Sequence, residues 1–88
     1  MNSADKKKLR AEAHALKPVI MIGQSGLTAA VLAETEQALA SHELIKVKIR
    51  AEREERKLIC ERICIDTGAE LIQTIGQIAV IYRLNPDK

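Results

Sequence analysis

The sequence predicts an α/β fold with the element order αβαβαββ, and three observations carry that reading. Apolar residues recur at helical spacing in three segments, fill or alternate through four short ones, and the glycines and prolines fall between these stretches. Eighty-eight residues have surface enough for one small core and none for two, so residues 1–88 are read as a single compact domain. Eleven Ile, nine Leu, four Val and twelve Ala supply that core, while Phe and Trp are absent and Tyr82 is the one aromatic residue. Disorder does not fit such a composition.

Taken in order, Ser3 can cap a helix beginning near Ala4, where Leu9, Ala13 and Leu16 share a face and Pro18 ends the run. Val19-Ile20-Met21-Ile22 is apolar at every position, which predicts a short strand covered on both faces, and Gly23 to Gly26 breaks it. Helical period returns from Leu27 or Thr28 to about Ser41, with Thr28 as cap, Val31, Leu32, Ala38 and Leu39 inward and Glu34, Glu36 and Gln37 outward. Leu44 to Arg50 then alternates. Ile45, Val47 and Ile49 fall on one face, and Lys46, Lys48 and Arg50 on the other.

A third helix, about Arg53 to Thr67, carries Leu58, Ile59, Cys60, Ile63 and Cys64 on one broad face and closes at Gly68, suited to a left-handed C-terminal position. Two strands, about Glu70 to Ile75 and Ile78 to Leu84, flank Gly76-Gln77, the spacing of a tight antiparallel hairpin. Right-handed strand-helix-strand crossovers place the second and third helices on one face of a small sheet. The doubly apolar first strand implies that the N-terminal helix covers part of the other face.

Fourteen Lys and Arg against twelve Asp and Glu give a net charge of +2, so the total neither demands nor excludes a polyanionic partner. Cys60 and Cys64 are one helical turn apart, and a disulfide there would close almost no loop, which points to a reducing compartment and a cytoplasmic protein. No apolar run approaches the length of a membrane span, and no membrane partner is expected. His14 and His42 fall at helix ends, and no Ser/His/Asp or Cys/His set is evident, so the expectation is not an enzyme, with no metal, no cofactor and no small-molecule substrate. Without further His or Cys nearby to complete a tetrahedron, the two thiols read as core residues.

Two features could carry binding. Gly23-Gln24-Ser25-Gly26 lies between a strand end and a helix N-terminus, where free backbone N–H groups can hold a phosphate; the same four residues also serve as a plain turn. It lacks the Lys-Ser/Thr pair of a Walker loop and the third glycine of a dinucleotide fingerprint. Lys46, Lys48 and Arg50 recur at about 6.5–7 Å along their strand, near the repeat of an extended nucleic-acid backbone, and Arg53 follows. Alone that row also suits a solvated outer face. With no aromatic platform but Tyr82, stacking of bases on aromatic rings is disfavoured, which leaves contacts to phosphate, ribose and shape.

Together, His14-Ala15-Leu16-Lys17-Pro18, Val19 through Thr28, His42-Glu43-Leu44-Ile45-Lys46-Val47-Lys48, Thr67-Gly68-Ala69, Ile75-Gly76 and Tyr82-Arg83 resemble the CRM domain in its stand-alone bacterial YhbY-type form. The resemblance implies a four-stranded mixed sheet, similar to the C-terminal domain of translation initiation factor three, with the last strand antiparallel to the other three. It also implies RNA binding, in bacteria on precursors of the large ribosomal subunit. Its GxxG loop maps to Gly23, Gln24, Ser25 and Gly26, and its basic strand to Lys46 and Lys48. Arg50 extends that strand here, Arg53 follows it, and Lys17 adds a cation before the loop-bearing strand. The expected partner is thus large-subunit ribosomal RNA precursor, bound by a monomer acting in ribosome assembly. The alternative is a protein-interaction module brought to ribosomes by a protein partner.

Overall fold

In the computed structural model, residues 2–85 are described, and they form α1 (Ser3–Ala13), β1 (Pro18–Ile22), α2 (Ala29–His42), β2 (Leu44–Ile49), α3 (Arg53–Thr67), β3 (Glu70–Ile75) and β4 (Ile78–Tyr82). The strands lie in the order β1-β2-β4-β3. β1 is parallel to β2, and β4 runs antiparallel to both β2 and β3, so the last strand alone is reversed. The predicted element order and mixed sheet are those observed.

Helix ends follow from local chemistry. Asn2, not Ser3, caps α1: its side chain accepts the Asp5 N–H at 2.9 Å, which shifts the start by one residue. The helix ends at Ala13, before Leu16, and Pro18 opens β1 instead of closing α1. Thr28 caps α2 as expected, its Oγ1 accepting from the Val31 N–H at 3.2 Å. α3 ends at Gly68, whose φ of 75° lets its N–H reach the Cys64 carbonyl at 2.9 Å.

Two cores sit on opposite faces of the sheet. On one, Leu39 of α2 and Ile59, Cys60 and Ile63 of α3 pack on Ile20, Ile22, Ile45, Val47, Ile49, Ala79 and Ile81. On the other, Ala13 and Leu9 of α1 cover Leu44, Ile72, Val80 and Tyr82. Ile72 reaches this second core through a bulge: Leu71 pairs with Ile81 and Gln73 with Val80, so Ile72 is the extra residue.

α1 therefore lies across β2, β4 and β3 and leaves β1 uncovered on that side. The expectation of a first strand buried on both faces is overturned, since Val19 is 53% and Met21 55% exposed. β1 is an edge strand, with Pro18 at its start and an unpaired extra residue at Val19, both features that blunt an edge. Leu58 also departs from expectation, at 65% exposed, because the buried arc of α3 is narrower than its apolar content. Among the described residues, no helix is long and apolar enough to cross a membrane.

The C-terminal end of β4 is tied down by polar contacts. Arg83 Nη1 donates to Glu36 Oε2 at 2.7 Å and to the Thr67 carbonyl at 2.9 Å, joining α2 and the end of α3 to the residue after β4. Glu36, expected to point outward, is thus half of a link between elements. Glu43 takes a φ of 59°, rare for a residue with a Cβ, and its backbone carbonyl accepts from the Arg83 N–H at 2.9 Å while its carboxylate accepts from the Asn85 N–H at 2.7 Å. Arg83→Met should lower the unfolding free energy in urea by about 1–2 kcal/mol, mostly through the stranded Thr67 carbonyl because the half-exposed Glu36 is screened.

Candidate nucleic-acid interface

The expected binding residues lie mainly along the parallel β1–β2 pair. Period two sends Ile45, Val47 and Ile49 into the larger core, which leaves Lys46 and Lys48 on the α1 side of the sheet. There Lys46 pairs across to Pro18 and Lys48 to Met21. Lys17, just before Pro18, thus stands beside the Lys46 end of the row and at the far end of β1 from the glycine loop. It is exposed and shares a shallow hollow with Glu12 and His42.

At the other end of the pair the row meets the loop. The Arg50 N–H donates to the Ile22 carbonyl at 2.9 Å, so the residue ending the cationic run is tied to the residue preceding Gly23. Gly23 to Gly26 is a hydrogen-bonded turn, with the Gly26 N–H on the Gly23 carbonyl at 3.1 Å. Gly26 has a φ of 72°, which only glycine adopts without strain.

Gly23 differs. Its φ lies outside the left-handed region, and an added Cβ would meet nothing within 4 Å. Neither backbone strain nor packing explains the glycine; what its hydrogen leaves is an unobstructed approach to the loop backbone. Gln24 and Ser25 are exposed at the turn, and the first N–H groups of α2 follow Thr28 directly.

Among the described residues, the side-chain ion pairs are Arg62 with Asp66 and Arg83 with Glu36, so no carboxylate is paired with Lys46, Lys48 or Arg50. Arg53 is set apart from them. It opens α3 and lines a groove of about 740 Å³ between α3 and the β3–β4 hairpin, on the opposite side of the sheet from Lys46 and Lys48.

That groove also holds the two thiols, which are free. Cys60, buried, has its pKa pushed up because its S–H bonds to Cys64 and because it is desolvated; Cys64 is lowered by accepting that bond. Among the described residues, no cluster of three His, Cys, Asp or Glu side chains could hold a metal.

Comparison with known proteins bears on the family and the fold. The CRS1/YhbY (CRM) domain profile matches residues 1–83. The chain belongs to the CRM domain family. A Haemophilus influenzae protein named as an RNA-binding protein is 50% identical over 84 residues, covering 94% of this CRM chain and 85% of the relative. A Pseudomonas aeruginosa protein named as a probable RNA-binding protein is 44% identical over 87 residues, covering 98% and 84%. The solution structure of a Staphylococcus aureus protein superposes on this CRM fold with a TM-score of 0.84 at 32% identity, covering 96% of this chain and 88% of that one.

Two expectations follow from the geometry. Gly26→Ala should cost about 1 kcal/mol in thermal or urea unfolding, whereas Gly23→Ala should change stability by less than about 0.5 kcal/mol. Iodoacetamide at neutral pH should modify Cys64 well before Cys60, and Cys60→Ala should slow Cys64 several-fold as its hydrogen-bond donor is lost, both followed by peptide mass spectrometry.

Proposed function

We propose that this protein binds RNA through the Gly23–Gly26 loop and the Lys46, Lys48 and Arg50 row, and that in the cytoplasm its target is ribosomal RNA of an immature large subunit. The observation that carries the reading is an unpaired cationic row ending against a loop whose first glycine serves neither fold nor packing. Loop amides would take one phosphate at close range, and the strand ammonium groups its neighbours along the chain. Lys17 extends the row beyond Lys46, and Arg53 would meet RNA only where it passes over the rim of the sheet. Relatives named as RNA-binding proteins support the chemistry; the large-subunit precursor as target follows the family resemblance.

A protein-interaction role has one feature in its favour, the exposed Leu58 and Ile65 seven residues apart on the outer face of α3. The two readings part on a simple titration. Purified protein added to deproteinised ribosomal RNA at moderate salt should bind under the RNA reading and stay free under the other.

Binding should weaken steeply with salt. Lys46→Glu with Lys48→Glu should reduce the log–log salt slope by about 2 and lower affinity for many RNAs alike. Gly23→Ala should lower affinity with unfolding and salt slope unchanged, because a methyl group there blocks approach without removing charge. In sucrose gradients of cell extract the protein should travel with large-subunit precursors and leave mature subunits bare; equal occupancy of both would remove the assembly role.

A further inference from the structure

Beyond the end of α1 the sheet presents one open row. Met21, Lys48, Ile78 and Ile75 stand side by side across β1, β2, β4 and β3, on the face that α1 covers farther along. Met21 is 55% and Ile75 60% exposed, and Ile78 is partly so. Single exposed apolar residues are ordinary, but here three lie contiguous around one ammonium group.

We propose that this row seats unpaired bases of the RNA whose backbone the glycine loop and Lys48 hold, so that the ligand class is RNA with a single-stranded loop or bulge and not a continuous duplex. The inference rests on the RNA reading above and narrows it.

Charge decides the occupant. Lys48 lies within the row and Lys46 one step along the same face, both without a carboxylate partner among the described residues. A polyanion neutralises them on covering the row. A second copy docked face to face about a two-fold axis would instead bring two such lysine rows together.

Continuity points the same way. Met21 precedes Gly23 by two residues, so a phosphate at the loop would be about one nucleotide from the row. Four strands at about 4.8 Å spacing make it about 14 Å wide, room for two splayed bases. Bases stacked inside a duplex cannot lie on such a surface, whereas unstacked ones can. Aliphatic side chains hold bases less firmly than aromatic rings would and without sequence choice, which fits a chain without Phe or Trp.

The test compares a fluorescein-labelled RNA hairpin carrying an unpaired loop with the blunt duplex of the same stem. Met21→Thr with Ile75→Thr keeps strand preference and charge, and circular dichroism melting checks the fold. The double variant should bind the hairpin about fivefold to tenfold more weakly than the unaltered protein, with less than about twofold change on the duplex and the same salt slope on both. A 2-aminopurine in the loop should change fluorescence on binding the unaltered protein and respond far less to the variant. An equal loss on both probes, or no loss on the hairpin, overturns the base seat and leaves RNA binding standing. Unaltered protein that binds neither probe overturns the RNA reading itself. A dimer in sedimentation that the double variant converts to monomer identifies the row as a self-contact and overturns the proposal.

Discussion

β2 is covered by neighbours on both edges and has a core on each face, so its period-two alternation constrains both the fold and the surface. Ile45, Val47 and Ile49 are 2% exposed or less beneath α2 and α3, and Leu44 anchors the other side under α1. Given that pairing, Lys46 and Lys48 must emerge on the α1 face of the sheet. A slip of one residue against β1 or β4 would drive both ammonium groups into the larger core, where burying even one unpaired charge costs several kcal/mol. The register that closes the core is therefore the register that places the cations.

Much of this was legible from the residues because β2, α3 and the hairpin are governed by local rules. Alternation identified the two faces of β2, Gly68 marked the end of α3, and Gly76-Gln77 set the hairpin. The uninterrupted apolar run at β1 was less informative. Four apolar residues in a row say that a strand can be buried on both faces, not that a helix arrives to bury it, and α1 settles over β2, β4 and β3 instead. Its position depends on the bulge that turns Ile72 toward Ala13, an irregularity no periodicity announces.

Long-range polar links were illegible for the same reason. Arg83 and Glu36 are 47 residues apart, and nothing in either segment alone distinguishes Glu36 from its exposed neighbour Glu34. Thr35 is fully buried in mid-helix because its hydroxyl donates to the Val31 carbonyl at 2.8 Å, which lets a polar residue occupy a core position that hydrophobic patterning would assign elsewhere. Within the candidate site, sequence identified the loop and the row as separate features. The tie between them, the Arg50 N–H on the Ile22 carbonyl, exists only once β1 and β2 pair in parallel.

That parallel pairing also bears on what kind of ligand the surface can suit. Cations on a flexible arm adapt to any polyanion, but Lys46 and Lys48 spring from the best-supported strand of the sheet, and the loop is fixed at the same strand ends by the Gly23–Gly26 turn and the cap of α2. Their backbone anchors are thereby held in one relative position, leaving only side-chain freedom to absorb a mismatch. A rigid spacing of this sort favours an RNA whose own fold presents phosphates at a matching interval, since a floppy strand would have to lose conformational entropy to meet it. On the RNA reading proposed above, selection by shape would precede any contact to a base.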